Sequence, residues 1–368
     1  MTTAGIDLGT TNTVIAIDGA PQPIGAFGAN TLPSVVSFPA TGAQLVGSEA
    51  RRRLGPDPKN TIYGAKRLIA ERMRSESARV FGKRFPFDLV ANPAGIVAFH
   101  TRAGDFTSED IGTQVLRTAL DAASKGAKIT RAVITVPSEF KTSQREATKQ
   151  IATLTGLETV DLMDEPAAAA QAFLAPNESL NHVGVYDFGG GTFDFAVIEC
   201  STKQTLTHGG DLYLGGDDVD VGIAKWVAAR VLEEHRWDLA SDLSTFASLI
   251  AACERIKIQL CDHDRAVIDL RKVDPAAPSQ VRMATVPKEV MEEVATNLVR
   301  KSFVVCDDVL ARAGVNARSL DAVFLAGGAT YLPPVRRMVA AYFGKQPRCS
   351  LNPLTVVASG ASLAAKLN

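Results

Sequence analysis

The sequence predicts an α/β protein made of two related lobes, and three observations carry that reading. Strand-like apolar runs alternate with helix-period segments through both halves of the chain. Residues 5–17, GIDLGTTNTVIAI, are echoed about half a chain later by residues 184–198, GVYDFGGGTFDFAVI. The chain has 368 residues, 46% hydrophobic and 21% charged, which is a globular composition with length for about two domains.

Each half of the echo is an apolar run, an Asp, a glycine-rich turn with Thr, and a second apolar run. That pattern reads as a β-hairpin with a glycine-rich tip. Phe193, Phe195 and Val197 alternate with Asp194, Ala196 and Ile198, a partial strand signature. The spacing is too long for a solenoid repeat. AVITVP (132–137) reads as a buried strand stopped by Pro137, and a helix follows over 138–156 with Gly156 as its C′ stop. Glu165-Pro166 opens an alanine-rich helix, since proline suits the first helical position, where its missing N–H costs nothing. Further helices are expected over 215–237, about 244–260 and about 287–313. Residues 322–344 read as strand, glycine turn, helix, and the proline-rich 273–281 as a loop in a small subdomain.

Charge and composition exclude several classes. The net charge of −1 gives no electrostatic basis for nucleic acid or an acidic membrane as partner. No apolar run reaches the ~18 residues of a membrane span. The N-terminus lacks the charged and apolar regions of a signal peptide, so a cytoplasmic location is expected. Cys200, Cys253, Cys261, Cys306 and Cys349 are odd in number and scattered, which fits free thiols better than a disulfide framework or a zinc site. The five histidines are scattered too, and read as surface or satisfied polar residues.

The two tips carry the chemistry. A polyphosphate needs backbone N–H donors at close approach, and glycine permits both the approach and positive φ. Gly9-Thr10-Thr11 and Gly189-Gly190-Gly191-Thr192 supply such donors with hydroxyls beside them. Asp7 and Asp187 stand on the strands before the tips, where two carboxylates across a cleft would hold a hydrated Mg²⁺. The Gly327-Gly328 turn between strand and helix is placed to support a nucleoside, with a helix N-terminus nearby favouring phosphate. Taken alone, this turn and either hairpin are also ordinary structural punctuation. It is the matched pair of tips that argues for phosphate.

DLGTTN, NTIYGAKRLI (60–69), AVITVPSEF with QREAT, DEPAAAA, VYDFGGGTFD, YLGGDD and FLAGGATYLP occur in the order seen in the DnaK-type heat-shock protein 70 chaperones. The chain resembles the ATPase domain of that family over essentially its whole length. The resemblance implies an actin-like, two-lobed fold of duplicated βαβ units that binds ATP or ADP with Mg²⁺ at the base of a cleft and hydrolyses ATP slowly. It implies metal-organising roles for Asp7 and Asp187, and phosphate contacts from Gly9, Thr10, Thr11, Asn12 and Gly189 to Thr192. It implies that Lys66 reaches the γ-phosphate and the attacking water, that Glu165 orients that water, and that Asp194 lies near water and monovalent cations, K⁺ among them. Read alone, Lys66 is a helix-surface lysine and Glu165 a first-turn glutamate facing the helix dipole. Pro137 and Arg145 resemble the family's allosteric relay. Gly215, Gly216, Glu254, Lys257, Cys261, Gly327, Gly328, Ala329 and Tyr331 fall where the family holds the nucleotide, with Glu254 and Lys257 as the ribose and adenine clamp. Without the resemblance, Glu254 and Lys257 read as an exposed i,i+3 ion pair.

The chain departs from the family around the base. Ala329 removes a hydroxyl, Tyr331 replaces an arginine, Cys261 replaces a serine, and Leu354 replaces an acid. Weaker base discrimination is expected, with the phosphate end intact. The resemblance divides the chain into lobe I (1–181 plus 355–368, with an insert about 38–106) and lobe II (182–354, with an insert about 215–291). Family members continue from the last helix into a linker and a peptide-binding β-sandwich. The sequence given carries neither, so peptide binding is not expected of it. A J-domain-type co-chaperone and a nucleotide-exchange factor are the implied partners of a monomer. The alternatives are a nucleotide-sensing regulatory module, an actin-like filament protein and a sugar-kinase-type enzyme, the last of which needs a catalytic Asp over a substrate hydroxyl.

Overall fold

A computed structural model describes residues 2–124, 128–174 and 179–365. Two sheets organise it, and each is built on one of the expected hairpins. In the first, Thr2–Leu8 pairs antiparallel with Asn12–Ile17 and parallel with Ile129–Val136, which in turn pairs parallel with Thr159–Asp164. In the second, His182–Phe188 pairs antiparallel with Phe193–Glu199 and parallel with Ala322–Ala326, and Gln204–Asp211 closes the other side. The internal echo is therefore an echo of topology. In each lobe the first hairpin strand lies beside a parallel strand that leads into a helix, Thr142–Leu154 in one and Pro333–Phe343 in the other.

Local sequence explains the boundaries. Val136 ends its strand because Pro137 has no N–H to continue the ladder. The next helix starts at Thr142 rather than at Ser138, because the Arg145 guanidinium donates to the carbonyls of Ser138 and Phe140 and holds that stretch as a turn. Gly156 follows the helix with φ of 90°, as its place after the last turn requires. The helices Glu165–Phe173, Gly216–His235, Leu243–Leu260 and Lys288–Ala313 match the expected spans closely. Phe193–Ile198 is buried on both faces, which is why its alternation is only partial.

Each lobe has its own apolar core, and a third cluster joins them at the base. That cluster contains Ala168, Ala169 and Ala170 of Glu165–Phe173 and Val356, Val357 and Ala361 of Val356–Ala364, with Val133, Val185 and Phe324 from the two sheets. These two helices cross beneath the cleft at very close range. A Cβ on Gly360 would sit 1.7 Å from the Ala168 carbonyl oxygen, so only glycine permits the crossing. Smaller sheets, among them Arg265–Asp269 with Met283–Pro287, lie outside these two.

Candidate functional site

The ends of the central strands place the acids. Asp7 is the next-to-last residue of the first strand, and Asp187 lies on the matching strand of the second sheet, directly opposite Asp194 in its hairpin. Glu165 is the first residue of its helix and Lys66 belongs to a short 3₁₀ turn, Ala65–Leu68. Asp7, Lys66, Pro137, Glu165 and Asp187 line one cleft with Gly9 to Asn12, Gly189 to Thr192, Gly327, Gly328 and Leu354. Lys66 is thus not a helix-surface lysine. Its side chain is 12% exposed, and Nζ donates to Glu165 Oε1 at 2.7 Å.

The electrostatics of this floor are strained toward cation binding. Burial, then the Glu165 charge, pushes Asp7 up to about 7, against the pull of Lys66 and a Thr135 hydrogen bond. Burial also raises Asp187 well above the carboxylate range, with Glu165, Asp194 and Asp7 adding repulsion. Asp194 is raised by burial and by Glu165. Burial works against the Lys66 ammonium, yet Glu165 and Asp7 hold its pKa above the ordinary value. Four carboxylates therefore face one ammonium.

The tips close over this floor. A Cβ on Gly190 would fall 2.2 Å from Thr11 Oγ1, so the tips of the two lobes touch. The second tip is tied to the start of the helix Gly216–His235. Gly216 N donates to Gly189 O at 3.0 Å, and Asp217 N to Gly190 O at 2.6 Å.

Other expected residues lie further out. Thr10, Thr11 and Glu254 line a second pocket above the tips, with Arg51, Tyr63, Asp217 and Asp220. Glu254 and Lys257 do not pair with each other as an exposed i,i+3 couple. Glu254 instead accepts from Arg51 across the cleft, and Lys257 Nζ donates to Asp220 at 2.8 Å and to Gly216 O at 2.9 Å. Gly215, Gly216, Lys257, Cys261, Ala329, Tyr331, Asp194 and Arg145 line neither space. The Tyr331 hydroxyl donates to Asn352, and Arg336 lies over its ring. Cys261 Sγ is turned back to the Lys257 carbonyl of its own helix. Arg145 also donates to Asp164 at 2.7 Å, one residue before Glu165, behind the cleft rather than in it.

Sequence reasoning missed Arg51, Arg67, Asp217 and Asp220. Their partners are remote in sequence, 203 positions for Arg51–Glu254 and 150 for Arg67–Asp217. The only local signal was the place of two of them inside matched motifs, Arg67 beside Lys66 and Asp217 directly after Gly215-Gly216; Arg51 and Asp220 lie in none.

The fold and this site define a two-lobed α/β protein whose paired glycine tips close over an acidic, cation-seeking floor. A sequence model of the Hsp70 protein family matches residues 3–368. "Chaperone protein DnaK" of Thermus thermophilus is 38% identical over 98% of this chain and 60% of its own length. The proteins of that name from Deinococcus deserti and Cyanidioschyzon merolae are 38% and 36% identical, each over 98% of this chain. The chain belongs to the Hsp70 family, and its architecture is that family's actin-like fold. It spans about three-fifths of the length of these relatives.

Proposed function

We propose that the chain binds ATP in the cleft and hydrolyses it slowly to ADP and phosphate, as the nucleotide-binding domain of a DnaK-like chaperone. One observation carries this reading: two touching glycine tips stand over a single ammonium set among Asp7, Glu165, Asp187 and Asp194. The tips offer backbone donors to a polyphosphate. Lys66 is placed to stabilise charge on the transferring phosphoryl group, and Glu165 to orient the attacking water.

The floor fits Mg²⁺. The acids are held high in pKa by burial and by one another, and a dication would relieve both. Asp7 and Asp187 would hold it, and Mg²⁺ keeps several of its waters when bound beside phosphates. When bound, it would neutralise phosphate charge. Asp194 is the proposed neighbour of a monovalent cation such as K⁺.

The proposal extends to the division into two lobes at 1–181 plus 355–368 and 182–354, to a cytoplasmic monomer, and to J-domain and nucleotide-exchange partners. Among the described residues no helix is long and apolar enough to cross a membrane. The test is calorimetric titration of ADP and ATP with and without Mg²⁺, on the parent chain and on Asp187→Asn. Binding is expected to tighten with Mg²⁺ in the parent and to lose that response in the variant. A variant that keeps the full Mg²⁺ response contradicts the metal assignment.

A further inference from the structure

Arg67 is a buried cation that works across the cleft. It follows Lys66 in the same 3₁₀ turn but points the other way, and it is 5% exposed. Its Nε donates to the Leu212 carbonyl at 3.1 Å and its Nη2 to Asp217 at 3.2 Å, both in lobe II, while Nη1 is buried without a partner. A Cβ on Gly191 would fall 1.8 Å from Nη2, so the guanidinium rests on the second phosphate tip. Asp217, which receives Arg67, also donates its own N–H to Gly190 O in that tip. Arg67 therefore touches the tip twice, once directly and once through Asp217.

A second layer holds this arrangement. Tyr213 has the Arg67 guanidinium 5.7 Å and the Arg84 guanidinium 4.8 Å from its ring centre, and its hydroxyl donates to the Ser77 carbonyl. Arg84 also pairs with Asp218 at 3.2 Å, and Asp218 caps the Gly215 N–H. Phe85 covers Arg67 from the lobe I side. Both arginines come from lobe I, and apart from the contact of Arg67 with Gly191 their lobe II partners lie in residues 212–218.

We propose that Arg67 is a positioning residue that couples closure of the lobes to the pose of the second phosphate tip, with Arg84, Tyr213, Asp217 and Asp218 as the clasp that holds it. Opening the lobes withdraws the guanidinium from Gly191 and Asp217, so the tip loses its support as the nucleotide leaves. This rests on the reading of the cleft as an ATP site.

The experiment follows release of fluorescently labelled ADP by stopped flow and single-turnover phosphate formation, on the parent and on Arg67→Ala, Arg67→Lys, Asp217→Asn and Tyr213→Leu. Truncating one partner of a buried, hydrogen-bonded charge pair acts mainly on dissociation, so Arg67→Ala should release ADP roughly tenfold or more faster. Asp217→Asn should share most of that effect, and the double variant should be no faster than Arg67→Ala alone, because both remove one link. Arg67→Lys should recover only part, since an ammonium cannot reproduce the guanidinium fork. Release and turnover within about twofold of the parent in every variant would overturn the proposal, and so would effects of Arg67→Ala and Asp217→Asn that multiply. If Arg67→Ala does not fold, Asp217→Asn and Tyr213→Leu, which lie nearer the surface, decide the matter by the same rates. A parent that neither binds nor turns over ATP removes the ATP reading and the clasp together, whereas an active parent with indifferent variants removes the clasp alone.

Discussion

The acidic floor makes an unusual demand on stability. Asp7 has its pKa pushed from 3.8 to about 7 by burial and by Glu165. A carboxyl raised in the folded state keeps a proton that the unfolded chain has already lost, so stability falls as pH climbs from 3.8 toward 7. Between pH 5.5 and 7.5 a single group with these two values costs about 2 kcal/mol. With unfolding entropy near 2.1 cal/mol/K per residue, a chain of 368 residues should then lose roughly 2–3 °C in melting temperature. Asp187 and Asp194 are raised in the same direction and deepen the slope. The assay is differential scanning calorimetry across that range without nucleotide, then with saturating Mg²⁺ and ADP. Nucleotide-free protein should melt lower at pH 7.5 than at 5.5, Asp7→Asn should flatten the trend, and Mg²⁺ with ADP should reduce it. A melting temperature that is level or rises over this range, with no response to Asp7→Asn, would refute the electrostatic picture of the floor.

Three further outcomes are expected. Lys66→Ala should lower turnover on the order of 10²–10³-fold while nucleotide binding stays measurable, because much of the binding comes from backbone donors at the tips; single-turnover kinetics beside calorimetry checks this, and equal loss of both in a folded protein counts against it. Gly360→Ala should cost about 3 kcal/mol in urea unfolding, the upper end of the usual overpacking range, since its methyl would meet the Ala168 carbonyl at 1.7 Å; a neutral result would mean the helices separate easily. With Cys261 bonded to its own helix and the Tyr331 hydroxyl engaged by Asn352, the base should be read more by shape than by hydrogen bonds. Stacking of ~1–3 kcal/mol then favours any purine. Calorimetry with ADP, GDP and IDP should show weaker discrimination than in the Cys261→Ser, Tyr331→Arg double variant, and equal rejection of GDP by both defeats the idea.

The two hairpins, the helix lengths and the glycine tips were legible in the sequence because they are local. Gly9-Thr10-Thr11 and Gly189-Gly190-Gly191 declare their turns through residue type alone. The Gly156 stop and the Pro166 helix start are likewise written in single residues. What the sequence hides is the far partner. Glu254 and Lys257 sit one helical turn apart and suggest each other, yet the fold gives each a better match, Arg51 across the cleft for Glu254 and Asp220 on the neighbouring helix for Lys257. The start of the helix at Thr142 depends on one guanidinium reaching back to two carbonyls, which no propensity encodes. Lys66 reads as a surface lysine until the fold brings Glu165, 99 positions away, to its ammonium.

The most direct test is phosphate release from ATP by the purified chain, with and without Mg²⁺, beside Asp187→Asn and Lys66→Ala. The expected result is slow, Mg²⁺-dependent hydrolysis in the parent that both variants lose. Hydrolysis absent from a folded parent at saturating ATP and Mg²⁺, or undiminished in either variant, would contradict the assignment of the cleft.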